Sequence, residues 1–503
     1  MGKRKRRGLS SRERYNEMVI LEEEESKMER MNMILLTTLL IGIGVVGTLY
    51  TCLTNSLSRS EWCSAQAKAR TPRKRPTWSQ ENERMTDRLF YRLFRMSRPC
   101  FKKLCKKIEK GVGEKAFKSE KFLDKMKEEG HSTVLGSMHR ASEATTGAYI
   151  CGEIKVAIAL RMMAGASYLD MFLWMNINPD YARSVFRTVT KHWFCNDKVM
   201  AINFFDLLQD TDELNKIRKD FGTRTDNVFS GVIGAVDGWL VRIRAPGLAE
   251  CENPGKYFSR KGFSAINVQV IVDKSKRVLW RYIGEKGSAH DSPAFHESNL
   301  GAFMETHAAR FLDRGLYLVG DSAYALRAYL LTPYDNAKPD SKEDAFNFYL
   351  SSNRIYVECA FGEIDRRWGI FWKPLSGLLV NHKYVIDSAL RLHNFIVDYR
   401  ENECGGFNAR QNKNDRNELD VASDIFQNAN PFATLGVQTD EDYEFRTMGR
   451  TPRAEQALRE NGKQLRDRIR DRLHARGMAR PKRRDGRRLQ PGTRDRFNRT
   501  NVA

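Results

Sequence analysis

The segment GVIGAVDGWLVRI, from Gly231 to Ile243, presents a single carboxylate directly after a short apolar run. Its β-branched residues favour a strand, and the run stops at Asp237-Gly238, a dipeptide that is common in tight hairpin turns. A second apolar run, which contains Leu240, follows at once. The pattern therefore predicts a buried strand that ends at Asp237 and leads into a hairpin. Taken alone, Asp237 is either an ordinary turn residue or a functional carboxylate at a strand end.

Two later segments place further carboxylates in comparable positions. In LYLVGDSAYALRAYL, residues 316–319 predict a short buried strand, and Asp321 stands where that strand ends. In NRIYVECAFGEIDRRWGIFW, the spacing of the apolar residues predicts a helix, with Glu358 beside its apolar face. That face consists of Val357, Phe361, Ile364 and Trp368.

Two aspartates at strand ends and one glutamate on a helix are suited to phosphoryl transfer with two metal ions. Mg²⁺ and Mn²⁺ take oxygen ligands and keep several waters, so a few converging carboxylates are sufficient. Two ions about 4 Å apart can then hold the attacking and the leaving oxygen of a phosphodiester. The pattern indicates such a site at Asp237, Asp321 and Glu358.

Six segments together resemble, in their order and spacing, the nuclease domain of PIF/Harbinger transposases and of the nuclease-like proteins derived from them. The segments are VDGWLVRI, YFSRKGFSAINVQVIVD, GSAHDSPAF, YLVGDSAYAL, RIYVECAFGEIDRRWGIF and LRLHNFIVD. The similarity covers about residues 201–400, with a weaker match back to about residue 92. Six ordered segments are far more specific than any one of them.

The resemblance implies an α/β fold with a ribonuclease H-like nuclease core, preceded by an all-helical, helix-turn-helix-like region. Motif by motif, it implies that Asp237, Asp321 and Glu358 are the catalytic DDE triad and the ligands of two Mg²⁺ or Mn²⁺ ions. It also implies DNA strand cleavage and suggests a separate Myb-like DNA-binding partner. Cys359 stands where the family usually carries arginine, and Trp239 replaces a usually smaller residue. Neither change removes a ligand.

Further candidates lie beside these motifs. Asp291 opens a predicted helix in GSAHDSPAF and is either a cap for the first turn or, because the family carries HDS there, a supporting residue near the metals. Basic residues surround Tyr257 and Phe258, where they either grip a DNA backbone or form a solvent-facing hairpin lip. These basic residues are Lys256, Arg260 and Lys261.

The composition of the 503-residue chain is that of a folded, basic protein. With 41% apolar residues it can build a sizeable core in two or three domains. Its net charge of +22 favours a polyanionic partner, and nucleic acid is favoured over a membrane surface. The alternative is a basic protein that has no such partner. The nine cysteines form no C-x-x-C pair, so neither a zinc site nor a disulfide framework is predicted. Reduced thiols in a cytosolic or nuclear protein are therefore expected, and the expected function predicts the nucleus.

The N-terminal end contains a segment that fits the rest poorly. After a polar, basic tail (residues 1–32), residues 33–53 carry no charge over a length that matches a bilayer core of about 30 Å. We interpret them as a candidate transmembrane helix, which makes a membrane location the alternative to the nucleus. A buried helix packed on the globular part, or coding sequence fused by a wrong gene start, would also explain it. Basic residues on both flanks leave its orientation open.

Residues 54–80 predict a linker, and residues 81–200 an all-helical region that contains a mixed-charge loop at 114–146. The region from Glu153 to Trp193 predicts three helices, the second starting with Ser167 as cap and the third after Asn178 and Pro179. In the third, Tyr181, Val185, Val189 and His192 are expected to face inward. Its exposed basic face is either a DNA-binding surface, as in the helix-turn-helix that it resembles, or simply solvated. That face consists of Arg183, Arg187 and Lys191.

The rest of the nuclease domain (residues 201–400) predicts strands at 263–272 and 277–283 around a turn, and a core helix at 384–397. His393 and Asn394 in that helix are expected to be satisfied core groups. Residues 401–503 predict a linker, an amphipathic helix at 454–473 that docks on a partner or on the core, and a basic tail.

These patterns favour a metal-dependent DNA endonuclease or transposase that cleaves phosphodiester bonds by in-line attack. The alternative is a catalytically silent, transposon-derived DNA-binding or scaffold protein, in one version tethered to a membrane through residues 33–53. Either protein could be a homo-oligomer.

Overall fold

The computed structural model describes residues 74–128, 149–403, 452–482 and Arg488. Several predicted segments lie outside these residues: the N-terminal basic tail (residues 1–32), the candidate transmembrane helix at 33–53 and most of the linker at 54–80. Residues 404–451 and most of the C-terminal basic tail also lie outside them. No helix in the described ranges is long and apolar enough to cross a membrane.

Helices make up the chain before the sheet. They are α1 (Trp78–Arg84), α2 (Asp87–Phe94), α3 (Arg98–Val112), α4 (Glu114–Phe117), α5 (Glu120–Glu128), α6 (Gly152–Met163), α7 (Asp170–Met175), α8 (Pro179–Thr188), α9 (Asp197–Met200), α10 (Phe204–Gln209) and α11 (Thr211–Gly222). The mixed-charge segment at 114–146 was therefore wrongly predicted as a loop up to residue 128. Buried Phe117 and Phe122 anchor α4 and α5 to the core despite the surrounding charges.

Helix α8 begins as predicted, because the Asn178 side chain accepts from the backbone N–H groups of residues 180 and 181 and Pro179 follows it. Two details of this region were wrong. Helix α7 starts at Asp170 rather than at Ser167, whose hydroxyl accepts from the Leu169 N–H at 3.2 Å in the turn that precedes the helix. Val185 and Val189 are buried as expected, but Tyr181 and His192 are exposed. The chain continues from α8 as a π-helix over Val189–Phe194, whose wider turn brings Trp193 and Phe194 inward in place of His192.

A five-stranded mixed sheet forms the centre of the region predicted as a nuclease domain (residues 201–400). Its strands are β1 (Val232–Arg242), β2 (Ala265–Val272), β3 (Val278–Lys286), β4 (Tyr317–Val319) and β5 (Leu330–Leu331), in the order β3-β2-β1-β4-β5. The β1–β2 and β2–β3 pairs are antiparallel, whereas β1–β4 and β4–β5 are parallel. The two strands predicted around the turn at 273–276 are confirmed as β2 and β3.

The predicted hairpin at Asp237-Gly238 was wrong. Strand β1 runs straight through this dipeptide, because β2 pairs with it on both sides, with Asp237 opposite Val270 and Gly238 opposite Gln269. The long β1–β2 ladder thus overrides the local turn preference of Asp-Gly. The strand that ends is β4, whose last residue pairs with Ala235. Asp237 therefore lies where β1 loses its parallel neighbour.

Helices cover the sheet. They are α12 (Asp291–His296), α13 (Asn299–Thr306), α14 (Ala308–Asp313), α15 (Lys342–Arg367), α16 (Leu379–Glu403) and α17 (Pro452–Ala475). Helix α15 packs against β1, and α16 packs against β3. Asn394 in α16 is a satisfied core group as expected, because its amide pairs with both backbone groups of Val278 at 2.7 Å. His393 is satisfied only in part: its Nε2 lies 2.8 Å from the Lys276 carbonyl, but its buried Nδ1 has no hydrogen-bond partner among the described residues. The amphipathic C-terminal helix α17 docks on the core, burying Leu465, Ile469 and Leu473.

A buried ion-pair cluster joins the helical region to the sheet. Asp387 on α16 accepts from Arg281 on β3 through both carboxylate oxygens, at 2.7 Å and 3.2 Å, and from Arg391 Nε at 2.9 Å. Arg391 also donates to the backbone carbonyl of Met200, the last residue of α9. Arg281 donates to the carbonyl of Ile202, two residues further along the chain. Both regions are thereby held to the same carboxylate.

Candidate active site

The sheet and α15 bring the two predicted carboxylates Asp237 and Glu358 to the same side of β1. Asp237 and Trp239 share one face of this strand, since alternate side chains point the same way. Trp239 stacks on Phe361 of α15 with ring centroids 5.8 Å apart, which fixes the helix against the strand. Glu358 lies three residues before Phe361, with 51% of its side chain exposed. The large residue at position 239 therefore supports the site.

An arginine that the sequence analysis did not identify connects these two carboxylates. Arg354 precedes Glu358 by one helical turn, and its Nη2 atom lies 3.5 Å from Glu358 Oε1 and 3.6 Å from Asp237 Oδ2. Because both oxygens contact one atom, they are at most about 7 Å apart, a separation that a pair of ions about 4 Å apart can span. The Arg354 side chain is only 14% exposed.

Asp321 follows β4 by two residues, as the sequence predicted. One of its carboxylate oxygens, Oδ1, is held by a backbone N–H group. Asp321 Oδ1 accepts from the Ala323 N–H at 2.9 Å, just as Asp237 Oδ1 accepts from the Gly238 N–H at 2.8 Å. Each aspartate thus has one oxygen held by its own loop or strand. Arg354 interacts electrostatically with both aspartates.

The environment of the aspartates disfavours their charged forms. Burial, with additions from the charges of Asp321 and Asp291, raises the pKa of Asp237 to about 7 against the opposing effects of Arg354 and the Gly238 N–H. Burial also raises the pKa of Asp321, with Asp291 adding to it and Arg354, the Ala323 N–H and Arg260 opposing it. Nearby negative charges in a site of low polarity are relieved by a proton or by a cation.

Asp291, the candidate supporting residue, lies beside the two aspartates and is held there by side chains of β2. Its Oδ1 accepts from Asn267 Nδ2 and Gln269 Nε2, each at 3.0 Å, and no side-chain cap is formed at the start of α12. A Cβ atom at Gly238 would lie 2.0 Å from this oxygen, so only glycine lets β1 approach it. The carboxylate of Asp291 therefore lies beside the strand that carries Asp237.

A hydrogen-bonded chain fixes the direction of the Gln269 amide. The buried hydroxyl of Tyr324, three residues after Asp321, donates to Gln269 Oε1 at 2.5 Å, which leaves Gln269 Nε2 for Asp291 and Asn267. Burial and the charges of Asp291, Asp237 and Asp321 raise the pKa of Tyr324, so its hydroxyl stays a donor. The chain ties the loop of Asp321 to Asp291 across β2.

We expect Tyr324→Phe to lower the free energy of unfolding by about 1–3 kcal/mol, because the buried Gln269 oxygen loses its donor. The measurement is chemical denaturation of the full chain. Tyr317→Phe is the matched control, since its buried hydroxyl has no side-chain hydrogen-bond partner among the described residues, and it should change stability less. Equal stabilities of the two variants would contradict the role of this chain.

The donor set of the site fits a hard divalent cation only in part. Its carboxylate oxygens are the ligand type that Mg²⁺ and Mn²⁺ prefer, and the unfavourable charges of Asp237 and Asp321 are the kind that a cation relieves. However, no three histidine, cysteine, aspartate or glutamate side chains of the described residues converge closely enough to be grouped around one ion. The guanidinium of Arg354 lies between Asp237 and Glu358 instead.

The two predicted basic groups differ in their relation to the acidic residues. Lys256, Arg260 and Lys261 are exposed, and Arg260 Nη2 lies 3.7 Å from Asp291 Oδ2, at the edge of the site. Arg183, Arg187 and Lys191 are also exposed. Arg183 pairs with Asp180 of the same helix at 2.9 Å, and Lys191 lies over the ring of Tyr384, so neither contact is with the acidic residues of the site.

Arg354, Gln269 and Tyr324 were missed in the sequence analysis, although two signals were present. Arg354 precedes Glu358 by four residues, which places both on one face of a helix. Asn267 and Gln269 are polar residues two apart within the otherwise apolar strand AINVQVIV, and all eight residues of that strand are buried. Buried polar side chains in such a strand need partners, which here include Asp291.

Comparison with known proteins places the match on this region. Residues 236–394 match the family described as DDE superfamily endonuclease. Relatives include the putative nuclease HARBI1 of Rattus norvegicus, 33% identical over 103 residues (20% of this chain, 27% of that protein), and the protein ALP1-like of Arabidopsis thaliana, 27% identical over 182 residues (33% and 43%). HARBI1 of Homo sapiens is 26% identical over 138 residues, 27% of this chain and 37% of that protein. The chain thus spans less than half the length of these curated relatives. No solved structure gives a significant match.

Proposed function

We propose that residues 236–394, which match the DDE superfamily endonuclease family and resemble Harbinger transposase-derived nucleases as the six segments predicted, form a nuclease domain, and that the chain cleaves DNA phosphodiester bonds with divalent metal ions. The observation that carries the proposal is the meeting of Asp237 and Glu358 at Arg354. Asp321 and Asp291 add negative charge that acts on Asp237. Four segments that are remote in sequence contribute these side chains: β1, α12, the loop after β4 and α15.

Asp237, Asp321 and Glu358 are the residues that would hold the metal ions, with Asp237 as the candidate shared ligand. When bound, two Mg²⁺ or Mn²⁺ ions would activate the attacking oxygen and stabilise the leaving oxygen of the phosphodiester. No nucleophile from the protein is required for this reaction. The ribonuclease H-like architecture is part of the same proposal, supported by the strand order and by the family of the domain.

The chain's own groups have identifiable tasks in this proposal. The backbone N–H groups of Gly238 and Ala323 each hold one oxygen of an aspartate, so that its second oxygen is left to bind a ligand. The stacked Trp239 and Phe361 rings keep Glu358 at a fixed distance from β1. Arg260, with 65% of its side chain exposed beside Asp291, is placed to contact a DNA phosphate at the rim of the site.

The helical region and the basic charge support DNA as the substrate. A net charge of +22 attracts a polyanion, and α8 presents Arg183 and Arg187 on its exposed side. We propose that these residues, with Lys191 and the basic residues 256, 260 and 261, contact the DNA backbone. Nuclear localisation is expected from this substrate.

The full chain is expected to nick supercoiled plasmid DNA in Mg²⁺ or Mn²⁺ and not in EDTA. Gel electrophoresis of the plasmid measures the cleavage, and titration calorimetry with Mn²⁺ measures binding of the ion without DNA. Binding of DNA with neither nicking nor Mn²⁺ binding would favour the catalytically silent DNA-binding protein instead. An active preparation must also lose its activity in the Asp237→Asn variant.

A further inference from the structure

The position of the Arg354 guanidinium between two carboxylates is unusual for a purely structural arginine. Its Nη2 atom lies almost equally far from Asp237 and Glu358, at 3.6 Å and 3.5 Å, which is longer than the 2.7–2.9 Å typical of a charge-assisted hydrogen bond. Its buried Nε atom has no hydrogen-bond partner among the described residues, as is true of five other arginines there. The unpartnered Nε therefore counts only together with the two long Nη2 distances.

A stability role alone does not account for this geometry. Other arginines of the chain that hold carboxylates in the core form short bonds, such as Arg281 to Asp387 at 2.7 Å. Arg354 is as buried as Arg281, with 14% against 20% of its side chain exposed, yet it forms no such bond to either carboxylate. Its donors are therefore available in the one place where the proposed function puts a cation and a phosphate.

We propose that Arg354 holds the place of a metal ion between Asp237 and Glu358, is displaced when the ion binds, and then donates to the scissile phosphate. This inference rests on the proposed function and adds a residue to it. Before metal binds, the guanidinium offsets the charges of the two carboxylates and keeps them close together. After metal binds, a positive charge in contact with the same oxygens would repel the ion, so the side chain must move.

The chemistry of the guanidinium suits the proposed contact with the scissile phosphate after the metal ion has bound. A planar guanidinium presents donors in a fixed fork that matches two oxygens of a phosphate, and it remains charged at any working pH. The unpartnered Nε belongs to this fork. Arg354 also lies on the rigid helix α15, one turn before Glu358, so a small rotation of its side chain keeps it within the site.

The test compares two properties that are expected to change in opposite directions. Arg354→Gln removes the competing charge, so the full chain is expected to bind Mn²⁺ about tenfold more tightly by titration calorimetry. The same variant is expected to nick plasmid about a hundredfold more slowly, because it loses a donor to the reacting phosphate.

Arg354→Lys keeps the charge without the fork, so it should bind Mn²⁺ as the unchanged protein does and still cleave slowly. Arg366→Gln is the control: it changes the charge of the same helix at an exposed position, and neither property should change.

The outcomes separate this inference from the proposed function. If the unchanged protein neither binds Mn²⁺ nor nicks DNA, the proposed function fails. If it does both and Arg354→Gln binds Mn²⁺ equally or more weakly, the place-holding role of Arg354 is refuted, whereas tighter binding with normal nicking refutes the phosphate contact. Arg354→Lys gives the answer if Arg354→Gln does not fold: a cleavage rate like that of the unchanged protein would refute the need for a guanidinium.

Discussion

Asp237→Asn is expected to lower the rate of metal-dependent DNA nicking about a thousandfold or more, while the protein still retains DNA in a gel-shift assay. An amide keeps the shape of the side chain but removes the negative charge that a divalent cation requires, and residues that act as one catalytic unit lose most of the rate when any is removed. Asp313→Asn, at an exposed position that ends α14, is the matched control and should cleave normally. Full cleavage by Asp237→Asn would end the assignment of the site.

The same substitution is expected to stabilise the metal-free protein at pH 8. The folded-state pKa of Asp237 is raised from 3.8 to about 7 by burial first and then by the charges of Asp321 and Asp291, so the folded chain binds more protons than the unfolded chain between these values. Folding stability therefore falls as the pH rises from about 4 to about 7. Asparagine does not ionise, so the variant should melt at a higher temperature than the unchanged protein at pH 8.

Thermal melting at several pH values checks this prediction. The difference between the two proteins should shrink as the pH falls toward 4, where the buried carboxyl is protonated in the folded protein and the unfolded chain approaches its own pKa. Added Mn²⁺ should raise the melting temperature of the unchanged protein and leave that of Asp237→Asn nearly unaffected. A destabilised variant at pH 8 would contradict a site that stores unfavourable charge.

Local sequence patterns were sufficient to predict the strand and the helix that position Asp321 and Glu358. Asp321 follows a short buried strand, and Glu358 lies on a helix whose apolar face packs inward, because burial of strands and helices is encoded in their periodicity. The pairing of the strands was not encoded in the same way. Asp237-Gly238 has the composition of a turn, and only the neighbouring strand β2, some 30 residues later in the chain, keeps it extended.

The contacts within the site could not be predicted, since they depend on side chains that meet only after folding. Arg354 is four residues from Glu358, but its second partner, Asp237, lies on another element. Gln269, Tyr324 and Asp291 likewise come from a strand, a loop and a helix. The exposed His192 shows a related limit: a π-helical turn shifts the face of a helix, and an ideal period of 3.6 residues places that residue wrongly.

Asp387→Asn is expected to lower the free energy of unfolding by about 3–5 kcal/mol at pH 7, because it leaves two largely buried arginines without their shared carboxylate. Arg281 and Arg391 have only 20% and 3% of their side chains exposed, and both donate to Asp387. Burial alone would raise the pKa of Asp387, but hydrogen bonds and charge from these arginines outweigh it and lower the pKa. The stabilisation is therefore complete above the unfolded-state pKa of 3.8 and is lost as the pH falls through the lower folded-state value.

Chemical denaturation of the full chain at pH 7 and at acidic pH measures this effect, and Asp197→Asn provides the comparison within the same cluster. Asp197 pairs with Arg391 at 2.8 Å, but 77% of its side chain is exposed, so its removal is expected to change stability by less than about 1 kcal/mol. The difference between Asp387→Asn and the unchanged protein should begin to narrow below about pH 4, where the unfolded chain takes up its proton, and should vanish only below the lower folded-state pKa, where the folded carboxylate is protonated as well. Equal losses from both variants would mean that the cluster acts through its surface charge. A loss confined to Asp387→Asn would show that one buried carboxylate holds the helical region, through the carbonyls of Met200 and Ile202, against the sheet that carries Asp237.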